Sequence, residues 1–98
     1  METKIHAVQF NADQKLIEFV EERVSKLEQF FDNLIHADVF LKLENTSELD
    51  NKIVEIKIGV PGNDLFAKKQ AKSFEEAADQ AVDALRRQII KRKGKAMA

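Results

Sequence analysis

"KIVEIKIGVPGNDLFAKKQA", residues 52–71, places two strand-like runs around one turn signal. Val54, Ile56, Ile58 and Val60 occupy alternate positions, with Ile53, Glu55 and Lys57 between them. A period of two is that of a strand with one face on a core. Pro61-Gly62 is the only Pro-Gly pair in the chain, within "PGND" at residues 61–64. Pro pre-sets the first corner of a tight turn and Gly accepts the left-handed second corner. "LFAKKQA", residues 65–71, then reads as a short return strand whose lysines suit the edge of a sheet.

Working outward, "NTSELDN" at residues 45–51 is a polar turn, and "ADVFLKLE" before it is another strand. In that strand Val39, Leu41 and Leu43 alternate with Phe40 and Lys42. Further back, Leu16, Val20, Val24, Leu27, Phe31 and Leu34 recur at helical spacing. With Glu18, Glu21, Glu22 and Glu28 between them, they predict a long amphipathic helix with an acid-rich outer face. Asn11 is placed to cap it, with Gln14 three residues on as in a capping box. "KIHAVQF", residues 4–10, is β-branched and aromatic enough to be a first strand. Beyond residue 71, Ser73 and Glu76 form a second capping box. Phe74, Ala78, Ala81, Val82, Leu85 and Ile89 then make the buried stripe of a last helix.

The order is β-α-β-β-β-α, with no internal repeat and no linker. The first helix is a crossover, so strands one and two run parallel, and short turns pair the later strands antiparallel. Each helix has one apolar stripe, so both cover the same sheet face. The expected fold is α+β: a two-layer sandwich of a four-stranded sheet with two helices on one face, a single domain over residues 1–98.

Composition narrows the chemistry. The chain is 44% hydrophobic and 34% charged, ordinary for a globular domain, and it has no Cys, which excludes disulfides and thiolate metal sites. Apolar runs are far shorter than the ~20 residues that span a bilayer, and "METKIHAVQF" lacks the cationic start of a secretory signal. A soluble, cytoplasmic protein with no membrane partner is expected. His6 and His36 are the only histidines, and no nucleophile pattern accompanies them. The three glycines cannot build a phosphate loop. No enzyme, metal, cofactor or small-molecule substrate is expected.

The net charge of −1 hides an asymmetry. Residues 1–66 hold 7 Lys+Arg against 13 Asp+Glu, or −6, and residues 67–98 hold 9 against 4, or +5. "RRQIIKRKGK", residues 86–95, carries six cations and no acid. A helix C-terminus favours one or two cations; six point to a polyanion, with nucleic acid the favoured class. At 100° per residue, Arg87 and Lys91 lie about 40° apart and opposite Leu85 and Ile89, while Arg86 and Lys93 share a flank. Lys68, Lys69 and Lys72 are candidates to extend that surface beside the last helix, with Lys42 and Lys57 on the sheet face away from the helices. Most of the seven Phe fall on core stripes; Phe40, out of phase with Val39 and Leu41, is the exception, either exposed on the open sheet face or covered by the chain's own packing.

"KLEQFFD" at residues 26–32, "LKLE" at 41–44 and "DALRRQIIKRKGK" at 83–95 resemble the ribosome hibernation-promoting factor family. That family includes the ribosome-associated inhibitor A proteins, formerly labelled modulators of the nitrogen sigma factor. The resemblance covers nearly the whole chain, and its most specific part is the D-x-L-x-R-Q-x-x-K pattern from Asp83 to Lys91. It implies a β-α-β-β-β-α fold similar to double-stranded RNA-binding domains. It also implies binding to the small ribosomal subunit and its ribosomal RNA, near the decoding region and mRNA channel. There the protein blocks mRNA and tRNA sites and promotes hibernation in stress or stationary phase. Arg87, Gln88 and Lys91 match the R-Q-x-x-K positions, Lys93 and Lys95 continue the basic tail, and Arg92 stands where relatives often carry another basic residue or His. Arg86 is an added cation, and Lys26 matches the family Lys before Leu-Glu. Ser73-Phe74-Glu75 replaces Asp-Met-Tyr, which keeps a cap and loses an aromatic. Ending at Ala98, the chain looks like the short form, without a C-terminal dimerisation domain, so a separate ribosome-dimerising factor is a further candidate partner. The alternatives are a general structured-RNA binder and a protein-interaction module acting on a transcription factor.

Overall fold

The computed structural model describes residues 1–31, 33–44 and 49–97, with side chains up to Arg92. β2 (His36–Leu43), β3 (Lys52–Gly59) and β4 (Leu65–Ala71) pair antiparallel in chain order, and β1 (Glu2–Ala7) joins β2 in parallel. The four-stranded sheet and two helices make the α+β architecture that the alternation of periods predicts. Lysine-bearing β4 is an edge strand, as its composition requires.

Register decides which side chains share a face. Ile5, Val39, Ile56 and Ala67 lie in one row across the sheet, and Thr3, Ala37, Ile58 and Leu65 in the next. Val39, Ile56, Ile58 and Ala37 in these rows are fully buried, beneath Val20 and Val24 from the first helix, Leu27 from the turn that follows it, and Ala81, Leu85 and Ile89 from the second helix. The alternate rows, such as His6, Phe40, Glu55 and Lys68, face away from the helices.

The N-terminal third departs from the sequence reading in three places. The first strand is Glu2–Ala7 rather than residues 4–10. Its last ladder bond runs from Val8 N–H to Leu41 O at 2.9 Å, after which Gln9 turns at φ 63. A left-handed residue ends an extended strand, and Phe10 then stacks on Phe74 with centroids 5.1 Å apart. Next, α1 (Gln14–Ser25) is capped by Asp13 rather than Asn11, because Asp13 Oδ1 accepts the Leu16 N–H at 2.8 Å. Finally, α1 stops at Ser25 and tightens into a 3₁₀ turn over Lys26–Gln29. The Ser25 hydroxyl donates to Glu22 O at 2.8 Å, and Phe30 N–H closes onto Leu27 O at 3.0 Å. Phe31 and Leu34 therefore lie in the chain returning to β2, not on a longer helix, and still reach the core.

α2 (Phe74–Met97) begins as expected: Ser73 Oγ accepts the Glu76 N–H at 3.1 Å, with Glu75 and Glu76 in the first turn. Its 24 residues run about 36 Å at 1.5 Å per residue. Phe74, Ala77, Ala78, Ala81, Leu85 and Ile89 are buried, and Val82 is half-buried. Arg23 Nε of α1 meets Asp79 Oδ1 of α2 at 3.0 Å between the helices. The β3–β4 connection turns at Gly62, whose φ of +99 only glycine adopts readily. The β2–β3 connection closes through Glu44 N–H to Asn51 O at 2.9 Å. Most of the expected polar turn there, residues 45–48, lies outside the described residues.

Candidate nucleic-acid interface

The C-terminal half of α2 presents cations outward while its apolar stripe stays inside. Leu85 and Ile89 are buried, whereas Arg87 and Lys91 on the opposite side are exposed, the Arg87 side chain by 68%. Both guanidinium groups at the start of the cluster are held by one acid. Arg86 donates from Nε and Nη2 to Asp83 Oδ1 at 3.3 and 3.0 Å, and Arg87 Nη2 donates to Asp83 Oδ2 at 2.6 Å. The hydrogen bond from Arg86, helped by the nearby Arg87 charge, holds the Asp83 carboxyl below the ordinary aspartate range. Arg86 also lies 5.9 Å from the centre of the Phe30 ring. The trio keeps a net charge of +1 with its arginines oriented, and Lys91 has no ion pair among the described residues.

The structure brings Lys26 into this region. It is exposed in the 3₁₀ turn, 3.9 Å from Glu22, and lines a shallow groove between the helices with Arg23, Phe30, Asp83 and Arg86. Arg92 is placed differently from its neighbours. Half-buried, it donates to Pro61 O at 2.8 Å and Asn63 O at 3.0 Å, so its fork grips the β3–β4 turn. Lys93 and Lys95 fall within the last turns of α2, but their side chains lie outside the described residues.

The other three lysines do not form one patch. Lys68 lies opposite Glu55 on the sheet face away from the helices, whereas Lys69, opposite Val54, is on the helix-covered side. Lys72 follows β4 and precedes the start of α2, so the helical rise from Phe74 to Lys91 separates it from the basic end by about 25 Å. Lys42 and Lys57 do lie on the open face, paired with Glu55 at 3.0 Å and Asp64 at 3.4 Å. Phe40 is there too, half-buried and stacked on His6 with centroids 4.9 Å apart. His6 and His36 flank Asp38 at 3.9 and 3.5 Å. No group of three ligating side chains among the described residues could hold a metal ion.

Sequence reasoning misses two features of this end of the molecule. Phe66 is 51% exposed on the open face, although most Phe were expected in the core. Gln88 Nε2 donates to Phe66 O at 3.0 Å, fastening α2 to β4 beside the Arg92 contact. The only signal for Gln88 in the sequence is its place in the R-Q-x-x-K pattern.

No helix of the described residues is long and apolar enough to cross a membrane. Comparison with known proteins gives a consistent answer. A family model described as sigma 54 modulation protein / S30EA ribosomal protein matches residues 3–97. A ribosome hibernation promoting factor of Azotobacter vinelandii is 33% identical over 95 residues, covering 97% of this chain and 85% of the relative. One from Klebsiella oxytoca is 33% identical over 78 residues, covering 80% of this chain and 78% of the relative. In fold, the chain is similar to a ribosomal subunit interface protein from Coxiella burnetii, with TM-score 0.85 and 17% identity over 96% of this chain and 99% of that one. The crystal structure of the Thermus thermophilus Protein Y N-terminal domain gives TM-score 0.78 at 23% identity, over 91% and 96%. With a match running almost end to end and the motif cations displayed on α2, the chain belongs to the sigma 54 modulation protein / S30EA ribosomal protein family.

Proposed function

We propose that this protein is a ribosome-associated factor that promotes hibernation by binding the small subunit near the decoding region and mRNA channel, where it excludes mRNA and tRNA. The observation that carries this reading is the division of α2: Leu85 and Ile89 anchor it in the core while Arg87 and Lys91 stand outward. Arg86, Arg87 and Lys91, with Lys26 across the groove and Lys93 and Lys95 further along, supply the ribosomal RNA contacts. Arg offers a planar fork to phosphate and Lys a point charge. Recognition is of RNA shape and backbone, since base edges in A-form helices are poorly accessible. Inhibition needs no chemical step. A folded wedge in the channel competes by volume and mass action, and a cytoplasmic location follows from the partner.

Sedimentation of cell extract through sucrose gradients tests this reading. The protein is expected with small subunits at low salt and free at high salt. At roughly 0.7 counterions per phosphate, six contacts weaken binding on the order of a few hundred-fold between ~50 and ~200 mM salt. Spread over many RNAs without preference for subunits would favour a general RNA binder. Association with a protein complex that persists after nuclease treatment would favour the transcription-factor reading.

A further inference from the structure

We infer that the β3–β4 turn, held against the basic helix by Arg92, is a second RNA-contacting element in which Asn63 joins Lys91 in gripping one stretch of backbone. The inference rests on the RNA-binding role proposed above and adds to it a surface and a positioning residue.

Arg92 donates from Nη2 to Pro61 O at 2.8 Å and from Nη1 to Asn63 O at 3.0 Å, straddling Gly62. The fit is close, since a Cβ at Gly62 would stand 3.1 Å from Nη2. Gln88 adds a bond to Phe66 O at 3.0 Å, and Lys57 holds the turn's acid, Asp64, at 3.4 Å. The turn is thus tied down from both sides, yet Pro61, Gly62, Asn63 and Asp64 are all exposed. A Pro-Gly turn closes a hairpin without outside help. What the ties fix is its position relative to α2.

Between turn and helix lies a groove lined by Asn63, Gln88, Lys91 and Arg92. Its polar groups suit an RNA strand. The Lys91 ammonium donates to phosphate oxygens, and the Asn63 carboxamide both donates and accepts, as a ribose 2′-hydroxyl does. Lys91 belongs both to this groove and to the exposed side of α2 that carries Arg87, so one strand could run past both. With one N–H of each terminal nitrogen committed to the turn and the side chain half-buried, Arg92 acts as a positioning residue for Asn63 rather than as a phosphate ligand.

Salt titrations of binding to purified small subunits separate these roles. Arg92→Gln and Arg92→Lys are both expected to weaken binding roughly three- to tenfold, with the slope of log affinity against log salt unchanged. Lys fails here because it lacks the two-pronged fork. Were Arg92 a phosphate ligand, Lys would restore affinity and Gln would lower the slope by about 0.7; either result overturns the inference. Asn63→Ala, an exposed change that leaves the fold intact by circular dichroism, is expected to give a similar loss that Arg92→Gln does not deepen. Wild-type affinity in Asn63→Ala equally overturns it. Failure of the wild-type protein itself to bind subunits would instead sink the underlying function.

Discussion

α1 and α2 cover the same sheet face with the same kind of apolar stripe, yet their outer charges are handled differently. The acids of α1 make loose contacts: Glu22 stands 3.9 Å from Lys26, Glu18 accepts from Gln14 at 3.3 Å, and Glu28, just past the helix, lies 3.6 Å from the terminal amine. Exposed pairs of this kind contribute little. The arginines of α2 are fixed, two by Asp83 and one by backbone carbonyls. Donors oriented before a ligand arrives lose less freedom on binding. On the proposed RNA-binding role, the difference separates a solvated face from one that meets the partner, and repulsion between α1 and RNA would orient the domain with its basic end inward.

The likeness of the inner faces gives the largest expected effect. Leu85→Ala should destabilise the fold by about 2–5 kcal/mol in urea unfolding, because a fully buried leucine leaves a cavity. The molecules that remain folded should bind subunits normally; a loss of binding per folded molecule would show that core and cations are not separable. Next comes the contrast itself. Arg87→Glu with Lys91→Glu should weaken subunit binding by roughly a hundredfold or more, with secondary structure unchanged. Glu18→Lys with Glu21→Lys on α1 should change binding only a few-fold, and equal effects from the two pairs would erase the distinction.

Caps supply a smaller test. Asp13→Ala and Ser73→Ala should each cost about 1 kcal/mol of stability, whereas Asn11→Ala should stay within about 0.5 kcal/mol. The smallest effect concerns Asp83. Its carboxyl is held below the ordinary aspartate range, so its pairing adds stability above that range. This contribution is lost as pH falls through the depressed value. Thermal melts of Asp83→Asn should therefore lie slightly below wild type at neutral pH and converge with it in acid.

Much of this was legible in the residues. Period two over Val54–Val60, Pro61-Gly62 and the Ser73 cap locate β3, its turn and the start of α2, because each rests on interactions within a few residues. Phe31 and Leu34 mislead since they continue the spacing of α1 while the backbone has already tightened at Ser25. "VQF" misleads in the same way, being apolar yet broken by Gln9. At the site, the 100° rotation per residue placed Arg87 and Lys91 correctly. The contact of Arg92 with the β3–β4 turn was hidden, because its partners at Pro61 and Asn63 lie 31 and 29 residues away along the chain. The split between Lys68 and Lys69 follows from strand alternation alone and could have been read in advance.

The parallel pairing of β1 also sets an order of assembly. β2, β3 and β4 meet through neighbouring hairpins, but Glu2 faces His36, 34 positions on, with α1 between them. Closing that long span costs more chain entropy than closing a hairpin. During synthesis the first strand leaves the ribosome long before its only sheet neighbour, and it waits to dock on an edge made later. Its amide protons should accordingly be the earliest of any strand's to exchange with deuterium in the native protein.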